Sequence, residues 1–200
     1  MEVRYFDYAR KMCDGKPVVE GEGEGRKEVR AYAGAHLPEY QTRNSAGADF
    51  CSAETVTIPS VWKALKRMCE AGVMNKETLK SCIENEEAIK YYFKPVRVHT
   101  GIKACMCEDE VLELYNRSSN PVKLGLVLAN SVGVVDADYF ENKDNDGEIS
   151  FAFYNFSYED VTIHEGDRIG QGVFKKFLRP TTNIRVKDEE RAGGYGSTGR

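Results

Sequence analysis

With 200 residues, 41% of them hydrophobic, the chain is long enough to bury one substantial core, and it suits a single domain with room for an appendage. Its 28 basic and 32 acidic side chains are interspersed and leave a formal net charge of -4, which excludes the basic surface that a nucleic-acid backbone requires. No apolar run approaches the roughly 20 residues of a bilayer span, and the opening MEVRYFDYARK lacks a signal-peptide core, so a cytoplasmic protein with neither nucleic acid nor membrane as partner is expected.

In chain order, the first thirty or so residues carry no readable pattern, and GEGEG at 21–25 breaks any regular element without the strand-then-helix context of a dinucleotide fingerprint. From Ala48, ADFCSAETVTI alternates as far as Pro59 and predicts strand and turn. The period then changes: Val61, Trp62, Leu65, Met68 and Cys69 recur at helical spacing, with Gly72 placed to stop the helix in a left-handed cap. Asn75 can cap a second stretch carrying Leu79, Cys82 and Ile83, and Asn85 begins a third towards Tyr92, before Pro95 closes the block. Short apolar runs divided by Gly, Asn and Asp follow: VRVHTGIKACM, VLELYN, LGLVLANSVGVV, EISFAFYNF, VTI and IGQGVFKKF. This spacing predicts a mainly β, jelly-roll-like distorted barrel, with about 60–94 packed outside as a helical insertion. The six cysteines are scattered without a CxxC and read as reduced, half-buried packing residues rather than zinc ligands.

Chemistry concentrates in five segments, each of which also has a plain structural reading. In Ala46-Gly47-Ala48-Asp49-Phe50 the glycine permits a tight backbone path and the carboxylate could sit near a magnesium ion; alone it is a turn. Asn116-Arg117-Ser118-Ser119 offers a guanidinium and two hydroxyls to phosphate oxygens at a strand end, or is simply a polar loop. Ala129 to Tyr139, ANSVGVVDADY, reads as strand, turn and strand; its turn backbone can read a pyrimidine edge while Asp136 and Tyr139 project toward a sugar. Gly166-Asp167-Arg168-Ile169-Gly170-Gln171 is a turn before a strand. Finally, RAGGYGSTGR at 191–200 is too glycine-rich to fold alone, yet it can wrap an anion and lay a ring on a base.

Taken in this order, the five segments resemble the five motifs of the trimeric dUTPase family, and YNRSSNPVKLGLVLANSVGVVDADY and GDRIGQGVFKKF look like the branch found in Gram-positive bacteria and their phages. The resemblance implies a β-clip fold, one dUTPase-like domain over 1–200 with a flexible C-terminal lid at about 188–200, and a homotrimer. It implies hydrolysis of dUTP to dUMP and diphosphate with Mg²⁺, which limits uracil in DNA and supplies dUMP. Asp136 would hold and deprotonate the water that attacks the α-phosphorus, and Arg117, Ser118, Ser119, Gln171 and Arg191 would bind the triphosphate. Asp49 would meet the metal through water. Asn130 and the backbone at Gly133 and Val135 would read uracil, and Tyr139 would pack on deoxyribose and reject ribose. Tyr195, where the family usually has Phe, would stack on uracil, while Gly196, Ser197 and Thr198 close over the phosphates. In the family this lid comes from a neighbouring subunit, so the resemblance implies composite sites.

Several departures from the family pattern stand out. Where the family commonly has Arg-Gly-Glu after the tyrosine, this chain has Phe140 to Glu148, FENKDNDGE, a longer polar hairpin. That hairpin is not an EF-hand, because with Gly147 in the loop's sixth position the twelfth would be Phe153, where calcium needs a bidentate Glu. Ala192 stands where Gly is usual, and the helical block, itself unusual, could recruit a protein partner. Two alternatives follow: a dUTP-responsive regulatory binding protein acting through the insertion, or a dCTP deaminase. The second needs a Glu in the strand where ISFAFYN has Ala152.

Overall fold

The computed structural model describes residues 3–21, 26–70 and 93–182, so the helical stretches expected from Asn75 to Tyr92 and the C-terminal lid lie outside the described residues. The N-terminal part contributes β1 (Tyr5–Tyr8), β2 (Met12–Cys13), β3 (Lys16–Pro17), β4 (Val19–Glu20), β5 (Lys27–Glu28), β6 (Ala48–Cys51) and β7 (Val56–Ile58). A helix, α1 (Val61–Glu70), precedes β8 (Val96–Cys105), β9 (Glu110–Asn116), β10 (Leu126–Leu128), β11 (Gly133–Asp136), β12 (Ile149–Asn155), β13 (Val161–Ile163) and β14 (Arg168–Lys176).

Two antiparallel four-stranded sheets form, one ordered β1-β8-β12-β10 and the other β11-β9-β14-β6, with β7 and β13 as a separate ribbon. They pack face to face: Phe50 of the second sheet meets Phe151 of the first at 5.7 Å between ring centroids, and Phe6 stands edge-on to Phe50 at 5.3 Å. Val98, Ile102, Leu126 and Phe153 complete the first face of the core, and Leu112, Leu114 and Ile169 the second. Gly170 makes this approach possible, since a Cβ there would stand 2.0 Å from the Phe151 ring. The layering is that of a jelly roll, but the expected barrel does not close. Among the described residues β1 and β10 end one sheet and β11 and β6 end the other, with no ladder between those edges.

Three local expectations change. The run from Ala48 to Ile58 is two strands in different sheets, because Ser52 Oγ donates to Glu54 O at 2.6 Å and turns the chain. The unreadable N-terminus extends the first sheet through β1, and its β2 to β5 pieces are two residues each, too short for a period of two to show. In α1 the buried residues are Ala64 and Met68, so the apolar stripe runs through Val61, Ala64, Leu65 and Met68 while Trp62 and Cys69 face out. The Trp62 indole donates instead to Phe156 O at 3.0 Å. Ser60 caps this helix, its Oγ accepting from the amides of Trp62 and Lys63. Cys13 and Cys69 are exposed rather than half-buried, and Cys51, Cys105 and Cys107 are intermediate. No helix among the described residues is long and apolar enough to cross a membrane.

β8 and β12 slip register between Ile149 and Ser150, which pair with Ile102 and His99. Thr100 and Gly101 therefore bulge, Gly101 with φ +67°. Their amides are not orphaned: Glu148 Oε1 accepts both at 3.0 Å, and its Oε2 meets His99 Nδ1 at 3.0 Å. Tyr32 stacks on the other side of this imidazole, 5.0 Å between centroids.

Candidate active site

Strand register gathers the first polar cluster. Asp49 on β6 lies opposite Gln171 on β14, which lies opposite Tyr115 on β9, one residue before Asn116 and two before Arg117. Asp49 is 4% exposed, and its Oδ2 accepts from Arg168 Nη1 at 3.1 Å. Arg117 Nη1 donates to the Arg168 carbonyl at 3.1 Å, so the two guanidiniums are brought to one strand end. The turn carrying Arg117, Ser118 and Ser119 is fixed by Asn120, whose Nδ2 donates to Asn116 Oδ1 and Ile169 O, both at 2.8 Å. Asn116 Nδ2 in turn donates to Leu126 O at 2.9 Å. A cleft of about 410 Å³ opens here, lined by Arg117, Ser119, Asn120, Asp167 and Arg168 among others, while Ser118 is exposed on the same turn.

Asp136 and Tyr139 lie elsewhere. Asp136 ends β11 opposite Val111, six residues along β9 from Arg117. At about 3.4 Å per residue that puts them about 20 Å apart in one chain. Gly133 packs against Leu114, and Val135 points into the core, so both can meet a ligand only through their backbone. Asn130 is exposed on the turn between β10 and β11, which crosses from one sheet to the other rather than closing a hairpin, and Ser131 there takes φ +60°.

Tyr139 is 7% exposed and lines a cleft of about 390 Å³ with Tyr32, Arg97, His99, Asn145 and Glu148 among others. Its hydroxyl donates to Glu148 O at 2.9 Å and accepts from Asn145 Nδ2 at 2.8 Å. The Phe140 to Glu148 hairpin is thus an ordered polar loop. Asp146 is wholly buried in it, accepting from the Arg10 amide at 2.7 Å, from Arg10 Nε at 3.0 Å and from Lys103 Nζ at 3.0 Å. Burial pushes the Asp146 carboxyl up, but the hydrogen bonds from Arg10 and Lys103 outweigh it and hold it below the usual carboxylate range. The Glu148 hydrogen bond raises His99, against the opposing effect of burial.

The structure therefore brings Asp49, Arg117, Ser119 and Gln171 into one region and sets Asp136 and Tyr139 in another; Arg191, Tyr195, Gly196, Ser197 and Thr198 lie outside the described residues. Sequence reading left Arg168, Asn120, Asn145 and Glu148 without roles. Arg168 stood inside a quoted segment, and only its pairing with a carboxylate 119 positions away gives it one. Among the described residues no three His, Cys, Asp or Glu side chains could cage a metal. Asp49 suits a Mg²⁺ ion that keeps its waters, because Oδ1 accepts no hydrogen bond from the described residues while Oδ2 is held.

Fold and cleft together define a two-sheet, jelly-roll-like β protein whose strand ends offer arginine and hydroxyl donors of the kind that suit phosphate oxygens. A family model described as dUTPase matches residues 78–199. A deoxyuridine 5'-triphosphate nucleotidohydrolase of Lactococcus lactis is 40% identical over 168 residues, 84% of this chain and 90% of its own. The crystal structure of a dUTPase from Streptococcus mutans superposes with a TM-score of 0.56 at 36% identity, covering 73% of this chain and 89% of that one. A mutant dUTPase from phage phi11 of S. aureus, in which a structural Mg(II) ion is coordinated, shares the fold at a TM-score of 0.54 and 19% identity, over 81% of this chain and 96% of its own. The chain belongs to the dUTPase family.

Proposed function

We propose that this protein is a dUTP diphosphatase that converts dUTP to dUMP and diphosphate in sites shared between the subunits of a homotrimer. One observation carries the reading: Arg117 directly follows one end of β9, whose other end faces Asp136, about 20 Å away. This separation sets a triphosphate held by Arg117 far from the Asp136 of its own chain and supports a base supplied by a neighbour, as heterologous contacts in a closed ring allow.

In this reading Arg117, Ser118, Ser119 and Gln171 hold the triphosphate, joined by Arg191 and by Gly196, Ser197 and Thr198 of the tail. Asn130 and the backbone at Gly133 and Val135 read uracil, with Tyr195 stacked on it. Asp136, exposed at its strand end, holds a water in line with the α-phosphorus and takes its proton. Guanidinium donors placed before the reaction stabilise charge as it develops on the leaving oxygens. Mg²⁺, bound with the triphosphate and met by Asp49 through water, would neutralise part of that charge. Tyr139 forms the wall against the sugar.

Diphosphate release from dUTP, dCTP, dTTP and UTP with Mg²⁺ tests the assignment, alongside a deamination readout for dCTP. Release from dUTP alone is expected. Tight dUTP binding without turnover would overturn it in favour of a nucleotide-responsive binding protein, and ammonia from dCTP would make the chain a deaminase.

A further inference from the structure

We infer that Asn145 is a positioning residue for sugar discrimination, locking the Tyr139 ring against the nucleoside from behind. The inference rests on the reading of Tyr139 as the sugar wall. A wall excludes a single hydroxyl only if it cannot yield by about an ångström, and a side chain meets that demand when hydrogen bonds lock its rotamer. Tyr139 ends the short helical turn Ala137–Tyr139 and leads into a loop, a place where backbone alone gives little stiffness.

The lock is a closed triangle. Tyr139 Oη donates to Glu148 O at 2.9 Å, and Asn145 Nδ2 donates both to Tyr139 Oη at 2.8 Å and to Glu148 O at 3.1 Å. The orientation of the Asn145 amide is set by its other end, because Oδ1 accepts from the Gly147 amide at 3.2 Å and from Asn142 Nδ2 at 2.9 Å. A flipped amide would set its oxygen against Glu148 O and its Nδ2 against the Gly147 N–H, so a donor faces the phenol.

Each corner is fastened to the rest of the fold. Glu148 is pinned through its carboxylate to the β8 bulge at Thr100 and Gly101. Asp146, next to Asn145, is clamped by Arg10 of the N-terminal segment and by Lys103 of β8. Gly147, with φ +82°, brings its backbone so close to Tyr139 that a Cβ would stand 2.7 Å from the Tyr139 carbonyl oxygen. The FENKDND stretch thus supplies the support for the ring through Asn142 and Asn145.

The test measures kcat/KM for dUTP and for UTP, with Mg²⁺ and the full chain, in the parent protein, Asn145→Ala, Tyr139→Phe, their double variant and Tyr139→Ala. Thermal unfolding runs alongside. Both single variants break the Asn145–Tyr139 bond, along with other bonds of the triangle, and loss of that neutral bond should lower the dUTP:UTP selectivity by about 3–10-fold or more in each. The double variant should be no less selective than the poorer single, because both changes break one triangle. Wild-type selectivity in Asn145→Ala with only a lowered Tm, or additive losses in the double, would overturn the inference and leave Asn145 as a loop-closing residue. Should Asn145→Ala fail to fold, Tyr139→Phe, which leaves the loop's own bonds intact, decides the matter by the same ratio. Unchanged selectivity in Tyr139→Ala would instead overturn the role of Tyr139, and absent dUTP turnover in the parent would overturn the proposed function.

Discussion

Replacing Asp146 with Asn removes one negative charge from the most buried ionic cluster of the described chain. Asp146 is 0% exposed and Lys103 1%, and they meet at 3.0 Å. Lys103 has a second partner in Glu141 at 2.9 Å, but that side chain is 45% exposed and water screens it. The substitution therefore leaves a buried ammonium facing an amide. Breaking a buried pair from one side costs about 3–5 kcal/mol. At about 2–4 °C per kcal/mol for a domain of this size, Tm should fall by about 6–20 °C. The assay is thermal and denaturant unfolding at neutral pH and fixed protomer concentration, since assembly shifts apparent stability. Lys103→Met should cost less, because Asp146 keeps the Arg10 amide and guanidinium. A lowered native pKa means that the Asp146 contribution is complete above about pH 3.9, the ordinary aspartate value, and disappears as pH falls through its depressed value. Parent and Asp146→Asn stabilities should thus converge in acid. A loss under about 1 kcal/mol at neutral pH would refute the reasoning and show the cluster to be no better than break-even.

Other outcomes follow from the same geometry. Asp136→Asn should lower turnover by orders of magnitude while dUTP still binds. Mixed with Arg117→Ala subunits and reassembled, it should recover activity in roughly a quarter of the sites, because one subunit of each productive pair then supplies the intact Arg117 and its neighbour the intact Asp136; a single-chain site would recover none. The raised pKa of His99 means that its bond to Glu148 stabilises the fold fully below the ordinary histidine value, about 6.5, and that this gain is lost as pH rises through the native value. Tm should accordingly decline more steeply with pH above that point in the parent than in His99→Gln, and parallel profiles would count against the pair. Gly170→Ala puts a methyl 2.0 Å from Phe151 and should cost at least the 1–3 kcal/mol typical of overpacking, read as a lowered denaturant midpoint.

How much of this could be read from the chain depends on whether the information is local. β8, β9, β12 and β14 were legible because their apolar runs are long and bounded by turn residues. The same run-and-turn pattern made the Asp49, Arg117, Asp136 and Gln171 segments recognisable. β1 was not legible: four residues on a sheet edge carry too little pattern, and their pairing with β8 is long-range. Trp62 and Cys69 fitted a helical period that α1 does not use, since periodicity gives spacing but not which side faces the core. The amino-acid sequence by itself determined the family and the β class, both of which are written in short contiguous motifs, and those motifs supplied the reacting groups that the proposed function uses. Only the tertiary structure decided that the sheets stay open, that Arg168 holds Asp49, that Asp136 stands a strand's length from Arg117, and that Asn145 braces Tyr139 in a loop anchored by Arg10 from 136 positions away. These depend on register and on partners distant in the chain, and no local pattern of residues encodes either.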